Sequence, residues 1–217
     1  MKVLGVDEAG RGAVLGPLVI CGALIDEKDE AQLKELGVKD SKLLTPKQRE
    51  RIAKELPKLV KYQLIIISPP EIDSNVGGEN GSNLNWLEAV KTVELINMLQ
   101  PEKALIDCPS PNTKAYHEYI AERLLHKKVK IITEHKADYK YLIVGAASIL
   151  AKVTRDAEIE KIKKHVGEDC GPGYPANSIT QAFLKKNWNK HPELFRHSWS
   201  TYKEVAGLKK QKKIGEF

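Results

Sequence analysis

Four acidic residues of the 217-residue sequence occupy positions where chemistry can be done. Asp7 and Glu8 follow the short apolar run Lys2–Val6, and Asp107 follows the run Lys103–Ile106. Asp138 lies between the run Val129–Thr133 and a long helical pattern. Short apolar runs bounded by turn formers read as strands, and the ends of neighbouring strands converge at one edge of a sheet. The four carboxylates are therefore candidates for one cluster. Like charges sharing a site raise one another's pKa unless a cation balances them. An all-oxygen set suits Mg²⁺ or Mn²⁺ and not zinc. Two such ions side by side activate a water and stabilise the leaving oxygen at a phosphodiester. Taken singly, the residues have plainer readings: Asp138 as a helix N-cap, Asp107 as a turn aspartate, Asp7 and Glu8 as a solvated strand end. The cluster exists only if the fold brings them together.

Gly10-Arg11-Gly12 stands directly after this first acidic pair. Glycines let backbone amides come close to a ligand, and an arginine between them supplies a phosphate partner. As a bare tripeptide it also reads as an ordinary turn.

These residues need a scaffold, and its outline is readable. Strands are expected at Lys2–Val6, Leu18–Ile25, Tyr62–Ile67, Lys103–Ile106 and Val129–Thr133. Thr45-Pro46-Lys47-Gln48 is a capping box with proline at the first helical position, which predicts a helix over Pro46–Leu56. Trp86, Val90, Val93 and Ile96 recur at helical spacing and predict one buried face after the loop-like stretch 74–82. Tyr116–Leu125, a long alanine-rich run from Tyr139 to about His165, Ile179–Trp188 and Thr201–Leu208 read as further helices. Three early strands followed by alternating strands and helices indicate an α/β fold, a mixed sheet carrying helices. Gly171-Pro172-Gly173 breaks the chain ahead of a small C-terminal helical subdomain.

Composition narrows the classes. With 41% apolar and 29% charged residues the chain lies in the globular range, which excludes global disorder. The longest apolar stretch, Gly16–Ile25, is half of the ~20 residues that a membrane-spanning helix needs. No secretory segment is read at the N-terminus. Three cysteines without paired spacing suggest neither a disulfide framework nor a zinc site, so a reducing, cytoplasmic location is expected. The net charge of +6 permits an acidic partner such as nucleic acid.

Longer segments resemble a known family. GVDEAGRGAVLGPLVI, Gly5–Ile20, resembles the opening signature of the type 2 ribonucleases H, the ribonuclease HII family. Asp40-Ser41-Lys42 is similar to that family's Asp-Ser-Lys element, and HKADYKYLIVGAASILAKVTRD, His135–Asp156, to its longest block. Gly171-Pro172-Gly173-Tyr174-Pro175 resembles a Gly-Ser-Gly-Tyr-Pro-Ser-Asp element, and Ser198-Trp199 with Thr201 a late one. The blocks occur in order along essentially the whole chain, whose length is similar to archaeal members. Pro172 stands where the pattern has serine, and Ala176-Asn177 where it has Ser-Asp.

The resemblance implies a ribonuclease H-like mixed five-stranded sheet flanked by helices in residues 1–169, and a helical subdomain with a basic tail in 170–217. It implies that Asp7, Glu8, Asp107 and Asp138 are the catalytic residues and hold two Mg²⁺ or Mn²⁺ ions. Gly10, Arg11 and Gly12 would contact a ribose 2′-hydroxyl and its flanking phosphate, Ser41 and Lys42 the phosphate backbone, and Tyr174 the same hydroxyl and the next sugar. A 2′-hydroxyl is what distinguishes RNA from DNA. The implied activity is an endoribonuclease that hydrolyses the RNA strand of RNA–DNA hybrids and cuts 5′ to ribonucleotides embedded in duplex DNA, giving 5′-phosphate and 3′-hydroxyl ends. A two-metal nuclease that cuts DNA, and a non-catalytic nucleic-acid binder, are the rival readings. Gln211, Ile214 and Phe217 fall at the Q-x-x-h-x-x-F spacing of segments that dock on the sliding clamp of replication and repair. A monomer with no membrane partner is expected.

Overall fold

The computed structural model describes residues 1–76 and 83–214, and side chains as far as residue 207. In chain order these form β1 (Lys2–Ala9), β2 (Leu18–Asp26), α1 (Glu30–Leu36), α2 (Pro46–Glu55), β3 (Lys61–Ile67), α3 (Pro69–Asn75) and α4 (Leu84–Leu99). β4 (Lys103–Asp107), α5 (Thr113–Arg123), β5 (Lys130–Glu134), α6 (Ala137–Lys140), α7 (Leu142–Val166), α8 (Ser178–Asn187) and α9 (Ser200–Ile214) follow. The strands make one five-stranded sheet in the order β3-β2-β1-β4-β5. β2 runs antiparallel to β1, with Lys2 opposite Asp26 and Ala9 opposite Val19. β4 runs parallel to β1 and β5 parallel to β4, so the sheet is mixed as expected. Val6 pairs with Ile106, so Asp7 and Asp107 each stand one residue beyond that pair at the same edge.

Alternation along β1 and β2 decides which face each side chain serves. Val3, Ala9, Val19, Cys21, Ala23 and Ile25 pack with Val144, Ala147 and Ala151 of α7. Leu4 lies on the other face, where α4 brings Leu95 and Leu99 against Gly22. Gly5 shows how close α7 comes, since a Cβ there would stand 2.5 Å from the backbone of Ile143 and Val144.

Backbone contacts divide the chain into two units, each discontinuous in sequence. The first comprises Met1–Ala9, Val19–Ile66 and Asn85–Thr154, the sheet with most of its helices. The second comprises Gly10–Leu18, Ile67–Leu84 and Arg155–Phe217. Its core gathers Val14, Leu15, Ile159, Phe183, Leu184, Phe195 and Tyr202. This partition differs from the contiguous 1–169 and 170–217 division, because the segment between β1 and β2 packs with the C-terminal helices.

Three sequence expectations change. The helix expected from Tyr139 is interrupted at Tyr141, whose backbone is extended and whose hydroxyl bonds Glu134 of β5 at 3.2 Å. The run therefore splits into α6 and α7. On α4 the buried face is rotated from the expected one: Val93 and Ile96 are buried beside Leu87, Leu95 and Leu99, whereas Val90 is 36% exposed. Trp86 stacks instead on Tyr119 of α5 with ring centroids 4.5 Å apart. α5 starts a turn earlier than expected because the Asn112 side chain accepts the Ala115 N–H at 3.0 Å and caps it. Among the described residues no helix is long and apolar enough to cross a membrane.

Candidate active site

Asp7, Asp107 and Asp138 come together in the first unit. One carboxylate oxygen from each lies within 4.8 Å of the others. Asp7 and Asp138 are buried, each 5% exposed. β1 delivers Asp7 on the face that carries α7, where its Oδ1 accepts the Glu8 N–H at 2.8 Å and Ser148 favours its charged form. Asp107 ends β4 and accepts the Ala137 N–H at 2.8 Å, which ties the first turn of α6 to the strand. Asp138 is the second residue of α6 and not its N-cap; Lys136, in the left-handed conformation at φ 58°, holds that place. The plain capping reading of Asp138 is thereby corrected.

Glu8, the fourth expected ligand, is not in this group. Successive strand residues point to opposite faces, so Glu8 is turned from Asp7 toward the side of Tyr116 and Cys108, whose pKa values its charge helps to raise.

Burial dominates the electrostatics. It pushes the Asp7 carboxyl up to about 7, with Asp107 and Asp138 adding to the rise, against the opposing influence of Ser148 and Glu8. Burial and the charge of Asp138 raise Asp107 as well, against the pull of the Ala137 N–H. The Lys42 ammonium lies 3.4 Å from Asp138 Oδ2 and gives the cluster a cationic contact. A set of three oxygens crowded at this distance and short of positive charge suits a hard divalent cation.

Ser41, expected on a substrate phosphate, is instead turned inward. It is 6% exposed, and its Oγ lies 2.9 Å from Ser148 Oγ. Lys42 beside it is open to solvent.

The remaining expected residues belong to the second unit. Gly10 has φ 89°, and a Cβ there would stand 2.8 Å from the Pro17 carbonyl oxygen, so the fold itself requires glycine. At Gly12 a Cβ would meet nothing within 4 Å and φ is not positive. Arg196, fully buried, donates to the carbonyls of Gly10 at 2.8 Å, Arg11 at 2.9 Å and Gly16 at 3.1 Å, fixing the shape of the loop. Tyr174 is half-buried, and the buried Arg155 guanidinium lies 4.9 Å from its ring centre. The adjoining Gly173 receives the Val14 N–H at 2.9 Å and donates to Thr180 Oγ1 at 3.0 Å. Asn177, the departure from the family's aspartate, still caps α8 through the Ile179 and Thr180 N–H groups.

Sequence reasoning gave no role to Ser148, Arg155 or Arg196. A hydroxyl within the small-residue run Gly145–Ala147 was a usable signal for Ser148, and an arginine within an apolar helical pattern for Arg155. Nothing local marks Arg196, which acts on carbonyls about 180 residues away in sequence. Of the C-terminal motif, Gln211 and Ile214 lie on the backbone of α9. Their side chains and Phe217 fall outside the described residues.

Comparison with known proteins shows the family. The family model for ribonuclease HII matches residues 4–202. Ribonuclease HII of Pyrococcus furiosus is 43% identical over 98% of this chain and 95% of its own length. The crystal structure of ribonuclease H2 from Pyrococcus horikoshii OT3 superposes with a TM-score of 0.85 at 44% identity, covering 94% of this chain and 97% of that one. The ribonuclease HII in the PCNA complex from Archaeoglobus fulgidus superposes with a TM-score of 0.83 at 35% identity, over 92% and 96%. With its ribonuclease H-like sheet and acidic cluster, this chain belongs to the ribonuclease HII family, the endonucleases that hydrolyse RNA in RNA–DNA hybrids.

Proposed function

We propose that the chain cuts both the RNA strand of hybrids and duplex DNA on the 5′ side of embedded ribonucleotides, leaving 5′-phosphate and 3′-hydroxyl ends. The carrying observation is the triad of carboxylate oxygens within 4.8 Å, two of the three residues buried. In this reading Asp7, Asp107 and Asp138 hold Mg²⁺ or Mn²⁺, with Glu8 a fourth ligand reached from the opposite side of the β1 end. Two such ions, when bound, lower the pKa of the attacking water and neutralise charge on the leaving 3′-oxygen.

The protein's own groups position the substrate. Lys42 takes the phosphate contact of its segment, since Ser41 is engaged elsewhere. Gly12 supports a close backbone approach of ligand: neither its dihedrals nor its neighbours require glycine, so the missing side chain serves something outside the fold. Arg11 supplies a phosphate partner. Tyr174, held by its loop, senses the sugar beside the 2′-hydroxyl. The net charge of +6 adds salt-dependent affinity for the backbone. We assign the protein to the cytoplasm, where its three buried, unpaired thiols stay reduced. The PCNA complex of the Archaeoglobus fulgidus relative supports clamp docking through Gln211, Ile214 and Phe217.

Matched duplexes test the reading: all DNA, DNA with one ribonucleotide, and a full hybrid, each with Mg²⁺ or Mn²⁺. Cleavage of the last two, with an intact all-DNA duplex, is expected. Cutting of the all-DNA duplex would favour the rival nuclease, and binding without any cutting would favour the non-catalytic binder.

A further inference from the structure

We infer that the buried Arg155 guanidinium holds the Tyr174 ring by a cation–π contact, which makes Arg155 a positioning residue for the proposed recognition of the ribose. The inference deepens the reading of Tyr174 above and rests on it. It begins with two glycines of the second unit. Arg155, on α7, reaches both the Gly10 loop and the Tyr174 loop. A Cβ at Gly10 would stand 3.2 Å from its Nε, and one at Gly173 would stand 2.7 Å from its Nη2. The two loops thus leave room for this side chain by carrying none of their own there. They are also joined to each other, since the N–H groups of Val14 and Leu15 donate to the Gly173 carbonyl at 2.9 and 3.3 Å.

A guanidinium has five N–H groups, and a buried one that serves structure spends them on acceptors. Arg196 does so, donating to the carbonyls of Gly10, Arg11 and Gly16. Arg155 is as deeply buried and does not. Among the described residues its Nε and Nη1 make no hydrogen bond, although Nη1 lies 3.8 Å from Asp156 Oδ1. Nη2 donates one long bond, 3.4 Å, to the Leu15 carbonyl. What the cation meets instead is the face of Tyr174, with its Cζ 4.9 Å from the ring centre. A ring face attracts a cation electrostatically, and more strongly where water is excluded. Burying a charge short of acceptors is costly, and an apolar residue of similar volume is often no worse for the fold. The charge at 155 therefore serves the ring. Held by one face on a half-buried residue, Tyr174 presents its remaining surface to a sugar in one orientation.

The test compares variants of the full-length protein in two assays run side by side: Mg²⁺-dependent cleavage of a duplex with one ribonucleotide, and affinity for a long hybrid in EDTA. Arg155→Met keeps most of the length and removes the charge. It should cut at the single ribonucleotide about tenfold more slowly than wild type and lose less than that in hybrid affinity. It should unfold at the same temperature or higher, because two buried nitrogens without hydrogen-bond partners are gone. Arg155→Lys restores a cation and should recover part of the lost rate. Arg155→Met combined with Tyr174→Ala should match Tyr174→Ala alone, because Arg155 acts only through the ring. Wild-type cleavage by Arg155→Met, no recovery with lysine, or additive losses in the double variant would overturn the inference. So would an Arg155→Met protein that unfolds at a lower temperature or does not fold, since the guanidinium would then hold the loops and not the ring. A Tyr174→Ala protein that cuts the single ribonucleotide at the wild-type rate would instead overturn the reading of Tyr174 itself.

Discussion

Replacing Asp7 by asparagine should make the metal-free protein more stable and the enzyme inactive. The carboxyl sits in a buried strand end with Asp107 and Asp138 nearby, and its pKa is pushed from an ordinary 3.8 up to about 7. A raised folded pKa means that the fold prefers the protonated form. Relative to the unfolded chain, stability is then greatest below the ordinary carboxylate value, falls as pH rises toward 7, and is flat beyond. At 1.36 kcal/mol per unit, the full penalty above pH 7 is about 4 kcal/mol. Asparagine carries no charge to bury, and its carbonyl oxygen still accepts the Glu8 N–H. For a chain of this size about 2–4 °C accompanies each kcal/mol, so the variant should unfold roughly 8–16 °C higher in EDTA at pH 8.5. At pH 5 the advantage should shrink to less than half, because wild-type Asp7 is protonated in the fold. Saturating Mn²⁺ should raise the wild type by mass action and leave the variant in place, closing or reversing the gap. Mg²⁺-dependent cleavage should fall almost to nothing while hybrid binding survives. Calorimetric unfolding at the two pH values, with and without Mn²⁺, checks each part. A variant no more stable than wild type at pH 8.5, or a gap that does not change with pH, refutes the reasoning.

Gly10→Ala should cost stability by about 1–2 kcal/mol or more, since an alanine at φ 89° is strained and its Cβ meets the Pro17 carbonyl. Gly12→Ala should leave the unfolding temperature unchanged yet weaken hybrid binding; equal stability losses at both positions would remove the ligand-approach argument. Tyr174→Ala should reduce cleavage at a single embedded ribonucleotide more than it reduces affinity for a long hybrid, measured side by side, and equal losses would mean that the ring only packs. Deleting Ile214–Phe217 should abolish binding to the sliding clamp in a calorimetric titration while cleavage of free oligonucleotides continues at the wild-type rate. The same clamp affinity before and after the deletion would show that the tail takes no part.

The family, the five strands and the three aspartates that meet were legible in the sequence because each depends on local pattern. Apolar runs that end in Asp or Gly mark strands such as Lys2–Ala9 and Lys103–Asp107. Thr45 to Gln48 formed the capping box that its spacing spelled out. Where long-range contacts compete with local preference, the sequence was a poorer guide. The alanine-rich run after Tyr139 has helical propensity throughout, yet Glu134 holds the Tyr141 hydroxyl and the helix breaks there.

The sequence by itself thus determined which carboxylates, glycines and tyrosine were candidates for chemistry. Only the tertiary structure decided where each of them stands. Parallel pairing of β1 with β4 put Asp7 level with Asp107, and the turn after β5 added Asp138. Strand alternation separated Glu8 from Asp7, although the two are adjacent in sequence. Ser41 faced inward because Ser148 offered its hydroxyl a buried partner, leaving Lys42 alone of that pair beside solvent. Arg196 came to hold the Gly10 loop through carbonyls that no sequence motif can mark, since every residue carries one. Side-chain identity is local, whereas facing, burial and partner are set by chain segments that meet only on folding.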